Sequence, residues 1–206
     1  TETLSARVSL LYQSQSDWID NGFTGENDAL GGHDTGAFRV QFLWQASERF
    51  SALLNLHGWE LDGTARVFRA NILKPGSNDL ASGFSQDKVY QDGLNDQEIS
   101  SQGGAFTLNY EFDFGTLTAI TGYETLDMFS RGDIDGGFGA VFAPPSGPGF
   151  IPFPSESADG LPELDQFTQE IRLASDTGGA WDWLVGFFYF DESLQADSFS
   201  YNSLGG

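Results

Sequence analysis

The sequence contains no cysteine, a single methionine, and nine basic residues against thirty acidic ones. Without cysteine, the chain cannot form disulfides, a thiolate metal site or a cysteine nucleophile. The net charge of −21 leaves no basic surface to displace counterions from phosphates, so we expect no nucleic-acid partner. No apolar run reaches the length of a transmembrane helix. A transmembrane strand is only half apolar, however, and does not produce such a run.

Aromatic residues and glycine are abundant, with 15% aromatics, 19 Phe and 26 Gly, which favours β structure with many turns. Several segments alternate between apolar and polar residues, as half-buried strands do. In one of them Phe38, Val40 and Phe42 share one face, and Arg39 and Gln41 the other. On this pattern we predict strands at residues 4–12, 37–44, 50–61, 104–112, 116–127, 166–175 and 183–190.

The connections between these segments alternate in length. Short turns rich in Gly, Asp and Ser fall near Glu48, Phe114 and Gly178. Long connections run from about Asp17 to Thr35, Asp62 to Gly103 and Met128 to Asp165. The sequence therefore predicts an all-β fold: a partial transmembrane antiparallel β-barrel of about seven meander strands, with short turns at one end and long loops at the other. The alternative is a soluble secreted β-sandwich that binds carbohydrate.

In a barrel, the apolar face of each strand contacts lipid and the other face points to the lumen. The predicted lipid-facing residues are Phe38, Val40, Phe42, Phe106, Leu108, Leu117, Ile171 and Leu173. The predicted lumen-facing residues are Arg39, Gln41, Asn109, Glu111, Glu124, Glu170 and Arg172. Opposite charges on neighbouring strands can pair there, and Glu124 with Arg172 is one such possibility. Aromatics near the strand ends, such as Tyr12, Trp44, Trp59 and Tyr123, indicate interfacial girdles.

No catalytic set emerges, so we expect the chain not to be an enzyme and to need no cofactor. Its two histidines, His33 and His57, have no partners at the spacing of a hydrolase or zinc site. The run Asp133-Ile134-Asp135-Gly136 resembles the start of an EF-hand loop, but the later ligands are absent. A polar turn is the favoured reading, with a calcium ion bridging loop carboxylates as the alternative; we expect no metal site.

Three stretches in order resemble the barrel domain of TonB-dependent receptors. They are Phe42–Phe50, then Leu108–Asp113 with Gly115–Tyr123, then Phe167–Ser175 with Trp183–Tyr189. The resemblance spans about Phe38 to Phe190, most of the chain. Receptor barrels of this kind have about 22 strands, so residues 1–206 would be an internal fragment of the barrel, without the N-terminal plug domain and the remaining strands.

The resemblance implies a location in the outer membrane of a Gram-negative bacterium, with lipid and lipopolysaccharide as surroundings. It also implies energy-coupled uptake of a scarce solute, most often a ferric siderophore, with cobalamin and sugars as other options. The TonB energy-transducing complex would act through the missing plug domain. We expect substrate contacts from loop aromatics and lumen charges, although the simpler role of each aromatic is packing between loops. The candidates are Phe68, Phe84, Tyr90, Phe138, Phe142, Arg39, Glu124 and Arg172.

Overall fold

The structure is a computed structural model that describes residues 3–142, 149–178 and 180–201. Within these ranges the chain forms twelve strands. They are β1 (Leu4–Gln15), β2 (Ile19–Asn21), β3 (Glu26–Leu30), β4 (His33–Ser47), β5 (Phe50–Gly63), β6 (Lys88–Val89), β7 (Asp96–Phe112), β8 (Gly115–Asp133), β9 (Val141–Phe142), β10 (Gly149–Phe150), β11 (Glu156–Ser175) and β12 (Leu184–Tyr201). None of the described segments is a helix long and apolar enough to cross a membrane.

The long strands form one antiparallel sheet in the order β1-β4-β5-β7-β8-β11-β12, which confirms the predicted seven-stranded meander. Its short connections, near Glu48, Phe114 and Gly178, lie at one end and its long connections at the other. The barrel is not closed, because β1 and β12 each pair on one side only. The sandwich alternative is wrong for the described residues, since the long strands share one sheet instead of dividing between two.

Several strands are longer than the sequence pattern predicts. β7 begins at Asp96 instead of Gly104, and β11 begins at Glu156, inside the segment from Met128 to Asp165 that is predicted to be a loop. These extensions carry polar residues on both faces, so they lack the alternation by which strands are recognised. β11 also contains a bulge between Leu161 and Leu164 that includes Pro162. The extra residue reverses which face each later side chain occupies. Part of the predicted Pro/Gly-rich loop, residues 143–148, lies outside the described residues.

The register confirms the predicted division into two faces. Phe42, Leu54, Phe106 and Thr121 lie opposite one another on successive strands, and so do Arg39, His57, Gly103 and Glu124. Because opposite residues share a face, all eight residues predicted to face lipid lie together, and all seven predicted to face the lumen lie on the other side. We call the first the apolar face and the second the polar face.

Aromatic rings border the apolar face at both ends. At the turn end, ring centroids follow one another at 5.8 Å (Trp44–Phe50), 6.5 Å (Phe50–Tyr110) and 4.6 Å (Tyr110–Phe112). At the loop end, three tyrosine hydroxyls donate to aspartates nearer the loops. These pairs are Tyr12 to Asp34 at 3.0 Å, Tyr123 to Asp165 at 2.7 Å and Tyr189 to Asp191 at 3.2 Å. Trp59, also predicted for a girdle, lies on the polar face opposite Ala37.

Between these two borders the apolar band is about nine residues long, from Gly36, opposite Tyr12, to Trp44. That length is within the roughly nine to eleven residues that a tilted strand needs to cross a membrane. Each tyrosine has its ring on the band and its hydroxyl on a carboxylate, the arrangement that aromatic residues adopt between an apolar and an aqueous layer.

On the polar face, His57 Nε2 and Glu124 Oε2 lie 3.0 Å apart although β7 runs between their strands. The β7 residue between them is Gly103, whose missing side chain leaves the space for this contact. The suggested pairing of Glu124 with Arg172 is wrong. Glu124 is opposite Gln166, and Arg172 lies about six residues, or roughly 20 Å, further along β11. Arg172 Nε instead contacts Glu170 Oε1 at 3.0 Å.

Replacing Gly103 with alanine should destabilise the sheet. A Cβ there would lie 2.6 Å from the Tyr123 carbonyl oxygen and would overlap sterically with the Glu124 carboxylate. We expect a loss of about 1–3 kcal/mol in the free energy of unfolding, measured by denaturant titration in detergent micelles. Gly36→Ala is the matched control, because its Cβ would meet only Glu60 at 3.6 Å. Equal stability of the two variants would contradict this role for Gly103.

Candidate functional site

The three long loops are connected to one another. β2 of the first loop pairs in parallel with β6 of the second, where Gly22 N donates to Val89 O at 2.7 Å. Asn21 Nδ2 donates to Gln91 O at 2.9 Å, and both residues are buried. The third loop joins through Phe138 N, which donates to Tyr90 O at 2.7 Å. The loops therefore form a connected layer at the end of the sheet.

A cavity of about 210 Å³ opens between the second and third loops. Its wall combines aromatic rings, two cationic side chains and backbone from a glycine-rich turn. The residues that characterise it are Arg69, Phe84, Lys88, Tyr90, Gly136 and Phe138. We call this space the loop cavity. The cavity is half open to solvent, and its wall mixes apolar and polar groups, as a shallow site for part of a small molecule would.

Three of the five predicted loop aromatics line the loop cavity: Phe84, Tyr90 and Phe138. Phe138 also packs against Phe23 at 5.2 Å and Phe150 at 6.0 Å between ring centroids, so it connects the first and third loops as well. Phe68 is exposed and does not line the cavity, although its carbonyl lies 3.5 Å from Gln91 Nε2. The side chain of Phe142 lies outside the described residues.

Two cations of the cavity were missed by sequence reasoning. Arg69 Nη2 donates to Gln86 O at 2.5 Å, while its Nε is buried without a partner. Lys88 Nζ lies 5.7 Å from the centroid of the Tyr90 ring. Arg69 follows Phe68 in the sequence, Lys88 lies two residues before Tyr90, and the chain has nine basic residues in all. This proximity to predicted loop aromatics is the sequence feature that could have identified the two cations. A cavity with two positive charges and three aromatic rings is suited to an anionic or aromatic ligand.

The three predicted lumen charges lie away from the loop cavity. Arg39 and Glu124 belong to one cross-strand row on the polar face with His57 between them, and Arg172 lies nearer the turn end. The structure therefore divides the predicted site residues into a loop group and a sheet group. The two groups do not form one site within the described residues.

Three aspartates lie next to the wall of the loop cavity. The carboxylates of Asp92, Asp133 and Asp135 each offer an oxygen within 4.8 Å of the others. Burial, together with the nearby Asp133 carboxylate, raises the pKa of Asp135 to about 7. Burial and the charge of Asp133 also raise the pKa of Asp92. Carboxylates this close are suited to hold a hard cation.

Comparison with known proteins gives a likeness of fold. No family model matches the chain, and no curated protein sequence does. The structure is similar to that of the ferric yersiniabactin uptake receptor FyuA from Yersinia pestis, with a TM-score of 0.66 and 16% identity. This likeness shows the fold, an open seven-stranded sheet consistent with part of a β-barrel. The similarity covers 97% of this chain and 28% of that receptor, so the chain spans less than a third of the receptor's length.

Removing the Asn21 amide should loosen the loop layer. Asn21→Ala leaves the buried Gln91 carbonyl without its donor, which costs about 1–3 kcal/mol. Amide hydrogen exchange at Gly22, whose N–H bonds to Val89, should then accelerate about 5- to 150-fold. Asn27→Ala, at an exposed position of β3, is the control and should leave this exchange rate unchanged. An unchanged rate in Asn21→Ala would show that the loops are held by other contacts.

Proposed function

We propose that the chain is part of the barrel wall of an outer-membrane receptor of the TonB-dependent type, which takes up a ferric siderophore. The observation that carries this proposal is the two-faced meander, whose apolar band lies between two aromatic borders. The fold likeness to an uptake receptor supports it. The resemblance of three sequence stretches, between Phe42 and Tyr189, to receptor barrels supports the same class of protein.

The exposure of the apolar face supports the proposed membrane location. Leu10, Phe38, Phe106 and Phe187 expose between 41% and 80% of their surface there. A soluble protein rarely leaves such a continuous patch uncovered. Lipid covers it without further protein, and the tyrosine hydroxyls then meet water at the loop end. In this proposal that end faces outward, as long loops do in outer-membrane barrels.

The loop cavity is the proposed place of first contact with the ligand. The charges of Arg69 and Lys88 and the rings of Phe84, Tyr90 and Phe138 suit a ferric siderophore that is anionic or carries flat conjugated groups. The sheet group, Arg39, Glu124 and Arg172, would line the path beyond it. The chain itself performs no catalysis in this proposal. Its parent receptor would receive energy from the TonB complex through a plug domain.

Lipid exposure of the apolar face can be tested by placing one charge on either face at the same height. Leu108→Lys should lower the free energy of unfolding in lipid vesicles by about 2–4 kcal/mol, because a charge at the bilayer midplane is costly. Asn109→Lys, one residue along β7 on the polar face, should cost about 1 kcal/mol, for the hydrogen bond it loses from Thr118. Equal losses, or full stability of Leu108→Lys, would contradict a lipid-facing side.

Ligand binding can be tested by titrating a panel of ferric siderophores into the chain in detergent and following tryptophan fluorescence. Arg69→Gln should weaken the binding of an anionic ferric complex about tenfold, equivalent to about 1.4 kcal/mol. Lys74→Gln removes an exposed charge from the same loop and is the control. If no member of the panel binds, or if both variants bind as the original chain does, the loop cavity is not the capture site.

A further inference from the structure

Three aspartates from two loops converge beside the loop cavity. Asp133 ends β8, Asp135 follows two residues later in the third loop, and Asp92 belongs to the second loop. The exposed fraction is 0% for Asp133 and 6% for Asp135, and Asp92 is half-buried. Three carboxylates with oxygens within 4.8 Å of one another repel strongly where water is excluded.

Asp133 is held in place by four backbone amides. Its Oδ2 accepts from Asp92 N at 3.2 Å and Gly93 N at 3.3 Å, and its Oδ1 accepts from Gly136 N at 3.2 Å and Gly137 N at 3.1 Å. These contacts compensate the burial of Asp133 and bring the second and third loops together. They do not compensate the charges of its two neighbours.

Asp92 and Asp135 each keep one buried carboxylate oxygen without a partner. Asp135 Oδ1 accepts from Gly137 N at 2.8 Å, but Asp135 Oδ2 and Asp92 Oδ1 accept no hydrogen bond. Buried polar atoms are almost always satisfied, so two unpaired oxygens beside a third carboxylate point to a missing positive partner. Arg131, the nearby cation, is committed to Glu156, with Nε 2.5 Å from Oε2.

We propose that Asp92, Asp133 and Asp135 bind one divalent cation, and that Ca²⁺ suits the site better than Mg²⁺. Ca²⁺ accepts six to eight oxygen ligands in flexible geometry, whereas Mg²⁺ requires a nearly ideal octahedron and gives up its water reluctantly. Carboxylates from two separate loops can supply oxygen ligands in the flexible geometry that Ca²⁺ accepts. They do not supply the nearly ideal octahedron that Mg²⁺ requires. The two unpaired oxygens supply ligands, one Asp133 oxygen supplies a third, and water completes the shell.

The cation would join the second loop to the third next to the loop cavity. Asp135 and Asp133 both accept from Gly137, and the next residue, Phe138, is a cavity wall residue whose N–H bonds to Tyr90. Asp92 lies two residues beyond Tyr90. Filling the site therefore fixes both sides of the cavity wall. The inference does not depend on the proposed ligand or on a membrane location.

The direct test is calorimetric titration of CaCl₂ into the chelator-treated full chain in detergent. We expect saturable binding to one site, with Mg²⁺ at least tenfold weaker. Calcium at about a hundred times its dissociation constant should raise the melting temperature by about 5 °C or more. Absence of saturable calcium binding to the original chain would overturn the proposal without reference to any variant.

Substitutions then locate the site. Asp135→Asn should weaken calcium binding more than tenfold and abolish the calcium-dependent rise in melting temperature. Without calcium, Asp135→Asn should melt at or above the temperature of the original chain, because the amide removes a buried charge. Asp92→Asn, at the less buried position, should also lose calcium binding and provides the test if Asp135→Asn does not fold.

The matched control is Asp79→Asn, which removes an exposed carboxylate from the same loop and should bind calcium normally. Normal calcium binding in both Asp92→Asn and Asp135→Asn would mean that the calcium binds elsewhere and that these aspartates hold none. An equal weakening of binding in Asp79→Asn would show that binding follows the overall acidic charge and not this cluster. Either result overturns the proposal, whether or not the chain binds a siderophore.

Discussion

The alternation of side chains along each strand is the constraint on which the rest of this structure depends. One antiparallel register carries it across seven strands, so that apolar residues collect on one face and charged residues on the other. A slip of one residue in any strand would exchange the two faces of that strand. The contact of His57 with Glu124 across Gly103 depends on the same register. The apolar band and the row of Arg39, His57 and Glu124 on the polar face therefore both result from the same strand pairing.

The sequence predicted this sheet wherever one face is apolar and the other polar. The parts of β4, β7, β8 and β11 nearer the turn end meet that condition, and the sequence correctly predicted which face each side chain occupies. The part of β11 nearer the loop end does not meet it. Between Glu156 and Asp165 this strand has polar residues on both faces and is interrupted by the bulge at Pro162. Without an apolar stripe, a paired strand and a solvated loop have the same local composition.

The loop contacts were less accessible from the sequence, because they join residues far apart in the chain. Asn21 and Gln91 are separated by 70 positions, and Asp92 bonds to Asp133 across 41. Aromatic composition singled out Phe84, Tyr90 and Phe138, which line the cavity, but equally Phe68, which does not. It could not identify Arg69, whose role depends on where the second loop folds back. It also could not reveal the aspartate cluster, of which only Asp133 and Asp135 are neighbours in sequence.

The polar extension of the strands separates the loop layer from the apolar band. From Asp165, at the tyrosine border, β11 continues for about ten residues to Glu156, or roughly 30 Å along the strand. The loop layer is therefore carried on a rigid β stalk, well clear of the apolar band. The hydrogen bonds that join the loops lie beyond the tyrosine border, so a substitution in the loop layer removes no contact of the apolar band. The loops can therefore diverge in sequence while the sheet keeps its register.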